Sequence, residues 1–202
     1  MSWYDLFSSF YDKSLEPLYA EQRLIAASAL QLSADEVVLD LPCGTGLSFD
    51  AVAPSAGHVI AVDFSKGMLA KAEQRAKAKG FSNVTCVHAD VTALTRGQLP
   101  ARPITRLHVF LGLTAFPDWE NSFARLFELL EPGGRCVVID VYAEKPTFQG
   151  RMVNLVARAD ITRKTWEPLQ RLCTDFSRRD LPSRPDHGGQ LYLATGLKAA
   201  TP

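Results

Sequence analysis

A chain of 202 residues is long enough to bury one full hydrophobic core and leaves little for a second. Hydrophobic residues make up 47% and charged residues 22%, and 22 lysines and arginines stand against 22 acids, so no overall field draws the chain to nucleic acid or an anionic membrane. The opening residues lack the basic start and apolar stretch of a secretory signal, and no apolar run approaches ~18 residues; stable membrane insertion is not expected and the cytoplasm is the expected location.

Residues 2–13, SWYDLFSSFYDK, are aromatic-rich without a clean period. Tyr4, Phe7, Phe10, Tyr11 and Tyr19 are candidates for a lid, and Tyr11 is the one proposed to reach the reacting atoms. Pro17 stands where a first helical turn tolerates it, and LYAEQRLIAASAL keeps apolar residues at helical spacing. EVVLDL then reads as a first strand that ends in Asp40 and breaks into a loop holding Gly44 and Gly46. HVIAVDF reads as the second strand, ending at Asp63, with Ser65 as N-cap of the helix KGMLAKAEQRAKAK and Gly80 as its stop.

VTCVHAD is the third strand, RLHVFLGL the fourth, and WENSFARLFELL the helix after it. EPGG turns the chain into the fifth strand, RCVVIDVY. Strands alternating with helices at this spacing give an α/β fold with a parallel sheet covered on both faces. Two helical segments follow, FQGRMVNLVARADI and TWEPLQRLC, and then two strands, TDFSRRDL and QLYLATGL. The linker between them, PSRPDHGG, is too short for a helical crossover, so they pair antiparallel.

The four cysteines are far apart and form no C-x-x-C pair, which favours reduced thiols over zinc or a disulfide framework. Cys43 alone sits in the glycine loop. His88 and His108 read as strand residues, His108 toward the end away from the ligand, and His58 as part of the turn before the second strand. His187 differs, because a parallel sixth strand opens its loop onto the ligand side, where Asp186 and His187 face an acceptor. Asp140 and Tyr142, at the end of the fifth strand, also lie near it, although Asp140 has the alternative role of a cap. Residues 151–184 hold eight basic residues and four acids, a local excess that hints at an anionic substrate or a lipid headgroup.

Three ligands compete for the loop. A Walker A site is excluded, because no lysine followed by serine or threonine comes after the last glycine. A dinucleotide site is weakened by Phe49, which takes the place of the third glycine, and by Asp40, which repels a pyrophosphate at the head of the loop. S-adenosylmethionine carries no phosphate; it needs backbone without side-chain bulk, an acid for its amino group and an acid for its ribose, and Asp40 and Asp63 stand at those places.

VLDLPCGTG, AVDFSKGML, HADV and LLEPGGRCVVIDV together resemble the motif series of class I S-adenosylmethionine-dependent methyltransferases. The nearest group is typified by ubiquinone/menaquinone-biosynthesis C-methyltransferases and phospholipid N-methyltransferases, and the resemblance covers roughly residues 30–142. It implies a Rossmann-like, doubly wound seven-stranded sheet, mostly parallel with an antiparallel last strand. The implied organisation is a single domain over 1–202: an N-terminal helical lid (1–30), a cofactor-binding core (31–142), and acceptor-side helices with the last two strands (143–202).

The resemblance further implies that Asp40, Pro42, Cys43, Gly44 and Gly46 form the methionine-side loop and that Asp63 binds ribose. Asp90 and Val91 then flank the adenine, Phe64 and Met68 pack on adenine or ribose, and Leu111 and Gly112 approach the transferable methyl. Pro42 departs from the family's usual glycine; it fixes φ near about −65° and removes an N–H, so it fits only where no bond to the cofactor is donated.

The expected activity is methyl transfer to a small-molecule acceptor by in-line displacement, with Tyr11, His187 and Asp140 as candidates on the acceptor side, no metal, and a monomer or homodimer. The alternatives are a phospholipid headgroup N-methyltransferase, a non-catalytic S-adenosylmethionine-binding protein, and a nucleotide-linked oxidoreductase. Nucleic acid is not an expected partner.

Overall fold

The computed structural model describes residues 17–200. In chain order the elements are α1 (Ala20–Leu30), β1 (Val37–Asp40), α2 (Phe49–Val52), β2 (His58–Asp63), α3 (Lys66–Lys79), β3 (Val84–His88), β4 (Ile104–Phe110), α4 (Trp119–Leu129), β5 (Leu130–Tyr142), α5 (Phe148–Ala157), α6 (Glu167–Leu172), β6 (Cys173–Asp180) and β7 (Gln190–Lys198). The strands form a seven-stranded sheet in the order β3-β2-β1-β4-β5-β7-β6.

β1 lies in the middle, and all four of its residues, Val-Val-Leu-Asp, are buried, the continuous apolar pattern of a strand covered on both faces. Alternate residues divide between two cores. Leu39, Ile60, Leu107 and Val138 meet Phe123 and Leu126 of α4, while Val38, Val59, Ala61 and Ile139 meet Ala26 and Leu30 of α1 and Ala72 of α3.

Chemistry local to the chain fixes both ends of α3. Ser65 Oγ accepts a hydrogen bond from the Met68 N–H at 3.2 Å, and Gly80 closes the helix at φ +71° with its N–H on the Ala76 and Lys77 carbonyls. The strand limits around β4 and β5 depart from the sequence pattern. β4 starts at Ile104 and stops at Phe110, because Leu111 takes a left-handed φ of +52°. β5 already begins at Leu130, and EPGG sits inside it as an irregularity that shifts the register between Ile104↔Leu130 and Arg106↔Arg135.

β5 runs antiparallel to β7, from Arg135↔Leu197 to Tyr142↔Gln190, and β7 runs antiparallel to β6. The last strand is therefore the antiparallel one, and it lies between the fifth and the sixth. The strand order turns at β1, whose neighbours are β2 on one side and β4 on the other, which opens a crevice beyond their carboxyl ends.

Candidate functional site

A cavity of about 550 Å³ occupies that crevice. The loop after β1 forms its floor and is tied down atom by atom. Leu41 N–H reaches the His108 carbonyl at 3.1 Å and Cys43 N–H reaches the Val62 carbonyl at 2.9 Å. Pro42, preceded by a cis peptide bond, stands between these two donors and needs none of its own. Gly44 N–H donates to Asp63 Oδ2 at 2.9 Å, and Ser65 N–H donates to Asp63 Oδ1 at 2.9 Å.

The two glycines have different tasks. Gly44, at φ +55°, lines the cavity, and a Cβ there would meet no atom within 4 Å, so its backbone faces open space. Gly46, at φ +77°, backs onto the buried Phe49 ring, which a Cβ would approach to 2.5 Å. Phe49 thus performs the close helix–strand packing by its own contact with Gly46.

Asp63 is 5% exposed and forms part of the cavity wall. Burial raises its pKa, opposed by the N–H groups of Ser65 and Gly44, while the nearby Asp40 raises it further. Half-exposed Phe64 and buried Met68 continue this wall, followed by Ala89, Asp90 and Val91. Asp90 Oδ1 accepts from the N–H and the hydroxyl of Thr92, both at 2.8 Å, and so shapes the turn Val91–Ala93. His88 Nε2 donates to the Phe64 carbonyl at 2.8 Å and steadies the neighbouring strand end.

The opposite wall comes from elements far apart in sequence: Tyr19 and Arg23, the β4 end with Phe110 and Leu111, the turn through Phe116, and Arg158 with Arg163. Asp140 holds the turn in place, accepting from Thr114 N–H at 3.1 Å and Thr114 Oγ1 at 2.9 Å. Burial pushes the Asp140 carboxyl up to about 6, against the downward pull of its hydrogen bonds with Val141, Thr114 and Leu113. Residues 158–163 are fastened over the same turn, with Asp160 N–H on the Thr114 carbonyl at 2.8 Å and Arg163 Nη1 on the Phe116 carbonyl at 2.7 Å.

Of the residues singled out in the sequence, Pro42, Cys43, Gly44, Asp63 and Phe64 line the cavity, as do Met68, Asp90, Val91 and Leu111. Gly46, Gly112, Asp40, Asp140 and His187 do not, and Tyr11 lies outside the described residues. Gly46 sits behind the loop on Phe49, and Gly112 packs against the Pro42 ring.

Asp40 is 1% exposed and turns sideways, with Oδ1 2.8 Å from Nδ1 of the fully buried His108. This corrects the expectation for His108, while Asp40 keeps Oδ2 without a hydrogen-bond partner among the described residues. β4 begins two residues before its apolar pattern, so His108 stands level with Asp40 at the ligand end of the sheet rather than away from it. His58 likewise belongs to β2 itself rather than to the turn before it.

His187 is corrected too. The turn Pro185–His187 folds its ring inward, where Nδ1 accepts from Arg184 N–H at 2.9 Å and the ring stacks on Tyr19 at 5.0 Å. Burial lowers its pKa, so the imidazole is neutral at pH 7, one layer behind the cavity wall. Asp140 takes the role of a brace rather than of an acceptor-side group. Cys43 lines the cavity, but burial, then Asp40 and Asp63, hold its thiol well above the usual range, which keeps it protonated. Sequence reasoning missed Arg23, Phe116, Arg158 and Arg163; only the excess of basic residues over 151–184 signalled the last two.

A family described as "Methyltransferase domain" matches residues 38–134. A demethylmenaquinone methyltransferase of Clavibacter sepedonicus is 34% identical over 141 residues, which is 68% of this chain and 56% of that protein. A ubiquinone/menaquinone biosynthesis C-methyltransferase of Erwinia tasmaniensis is 32% identical over 170 residues, 80% of this chain and 59% of the relative. The chain thus spans little more than half the length of these curated relatives. Among solved structures, geranyl diphosphate C-methyltransferase from Streptomyces coelicolor A3(2), in complex with S-adenosyl-L-homocysteine, superposes with a TM-score of 0.73 at 17% identity, covering 89% of this chain and 77% of that one. The YcgJ protein from Bacillus subtilis superposes at 0.70 and 16% identity, covering 90% and 100%. These two likenesses concern the fold.

Proposed function

We propose that this chain, whose residues 38–134 match the methyltransferase domain family, transfers a methyl group from S-adenosylmethionine to a small-molecule acceptor. The observation that carries the proposal is the pairing of Gly44 with Asp63. Open space over the Gly44 backbone admits a ligand that tolerates no side chain there, and the Asp63 carboxylate beside it is already oriented by two backbone donors. The residues fit this cofactor: Asp63 suits ribose hydroxyls, Phe64 and Met68 offer apolar surface to a purine, and Asp90 with Val91 closes that end.

When bound, the cofactor supplies a methyl group on an already activated sulfonium leaving group. The chain's own part is to orient the acceptor and exclude water, and positioning of this kind gains on the order of 7–11 kcal/mol. Asp140 and His187 are engaged behind the wall, so we assign neither as a base. Arg23, Arg158 and Arg163 line the wall opposite Asp63 and Asp90, with Arg163 paired to Asp160 at 3.4 Å. This segregation of charge supports an acceptor that carries an anionic group. Among the described residues no helix is long and apolar enough to cross a membrane, and the proposed place of action is the cytoplasm.

Calorimetric titration with S-adenosylhomocysteine tests the proposal. Wild type is expected to bind in the micromolar range, and Asp63→Ala to bind at least about tenfold more weakly, as loss of a charged hydrogen-bond partner requires. Absence of binding by folded wild type overturns the reading, and a nucleotide cofactor is then titrated next.

A further inference from the structure

α5 is built inside out. In a helix that covers a core the apolar stripe faces inward and polar residues face water. Here Phe148, Met152 and Leu155, at i, i+4 and i+7, form a single outward stripe that is 76%, 43% and 71% exposed. The inward face is made of small groups. Gly150 is buried so close to the turn at Gly188 that a Cβ would come within 2.6 Å of the Gly188 carbonyl oxygen, and Val153 and Ala157 are half-buried beside it.

The charge around the stripe is positive on balance. α5 contains no acid, and Arg151 flanks the stripe, with Arg158 just beyond its last turn. Lys145 and Glu144 precede the helix, and the turn packed beneath it brings exposed Arg184 and Asp186. Lys145, Arg151, Arg158 and Arg184 therefore stand against Glu144, Asp160 and Asp186 around an exposed apolar ridge, although the chain as a whole has no net charge. Ala157 and Arg158, at the carboxyl end of the same helix, belong to the cavity wall.

We propose that α5 is an interfacial helix that lays the Phe148–Met152–Leu155 ridge into the headgroup region of an anionic bilayer, with Arg151 and Lys145 on the lipid phosphates. Large apolar side chains on one face with basic residues beside them, in a segment far too short to span, have the chemistry of a helix lying in the plane of the membrane surface. The occupant follows from charge complementarity: a second copy of this chain would set the same cations against each other. Docking is independent of methyl transfer. The one consequence that rests on that reading is the route of the acceptor, since a cavity opening beside the docked helix receives its substrate from the bilayer surface.

Co-sedimentation with vesicles is the test, using phosphatidylcholine alone and phosphatidylcholine mixed with phosphatidylglycerol. Wild type should sediment with the anionic vesicles and far less with the neutral ones. F148S/M152S/L155S should lose the binding, and K145E/R151E should weaken it by at least about 30-fold, as expected for two basic residues near the surface. These side chains are exposed and off the cavity wall, so both variants should keep the wild-type melting temperature and S-adenosylhomocysteine titration. That control separates failure of docking from failure of the cofactor reading. The proposal is overturned if wild type ignores anionic vesicles, or if the triple variant still binds them. It is equally overturned if light scattering shows a dimer that the triple variant dissolves while vesicles bind neither form.

Discussion

Pro42 and Gly112 come from the loops after β1 and β4, which are neighbours in the sheet, and the proline ring fits only because position 112 has no side chain. A Cβ on Gly112 would lie 2.3 Å from Pro42 Cδ and 3.3 Å from Val109 Cγ1. The φ of Gly112 is −119°, which any residue adopts, so the need for glycine is steric and points at the proline. Gly112→Ala should cost about 1–3 kcal/mol in urea unfolding, as overpacking does. Pro42→Ala/Gly112→Ala should cost less than the sum of its single changes, whereas strict additivity would mean that the two rings of contact are unrelated. A single sequence showed that Pro42 donates nothing; it could not show which residue makes room for it. The same limit explains the acids: position at a strand end was legible for Asp40, Asp63 and Asp140, but the direction each carboxylate turns depends on partners such as His108 and Thr114, far off in the chain.

At the scale of elements, what local chemistry dictates was readable and what pairing dictates was not. Ser65 and Gly80 bound α3 as their side-chain and backbone chemistry requires. Ser65→Ala should lower stability by about 1 kcal/mol, and Ser65→Asn, which keeps an acceptor oxygen, should retain most of it; equal losses for both would assign the effect to packing instead. Because Met68 lies in the first turn of α3 and on the cavity wall, the cap also steadies part of the site. The extent of β5 was misread because EPGG has the composition of a turn, yet it is held within the strand by pairing with β4. The clasp of residues 158–163 over the turn at Thr114 had no local signal, since its bonds join a polar segment to backbone carbonyls.

For the molecule as a whole, alternation of apolar strands with helices was enough to give the doubly wound sheet, because each buried strand must be covered on both faces, and the short linker PSRPDHGG gave the antiparallel pairing of the last two strands. Which groups govern its pH response was not legible. The folded state holds the Asp140 proton more tightly than the unfolded chain does, because burial outweighs the hydrogen bonds that favour the carboxylate. This contribution to stability is fully present below about pH 4 and is lost as pH rises through about 6. From pH 7 down to pH 5 wild type should therefore gain on the order of 1 kcal/mol relative to Asp140→Asn. His187 shifts the other way, but in both proteins alike, so it cancels in the difference. A gap between the two that is constant with pH would mean that Asp140 titrates normally.

The place of β7 also sets an order in time. β5 is synthesised well before the strand that covers its outer edge, and α5, α6 and β6 all leave the ribosome in between. Through that interval β5 offers a row of unpaired backbone donors and acceptors, and β6 has no neighbour to join. A β5 edge from another nascent chain can pair with those groups, so the wait for β7 is the interval in which the exposed edge invites association between chains.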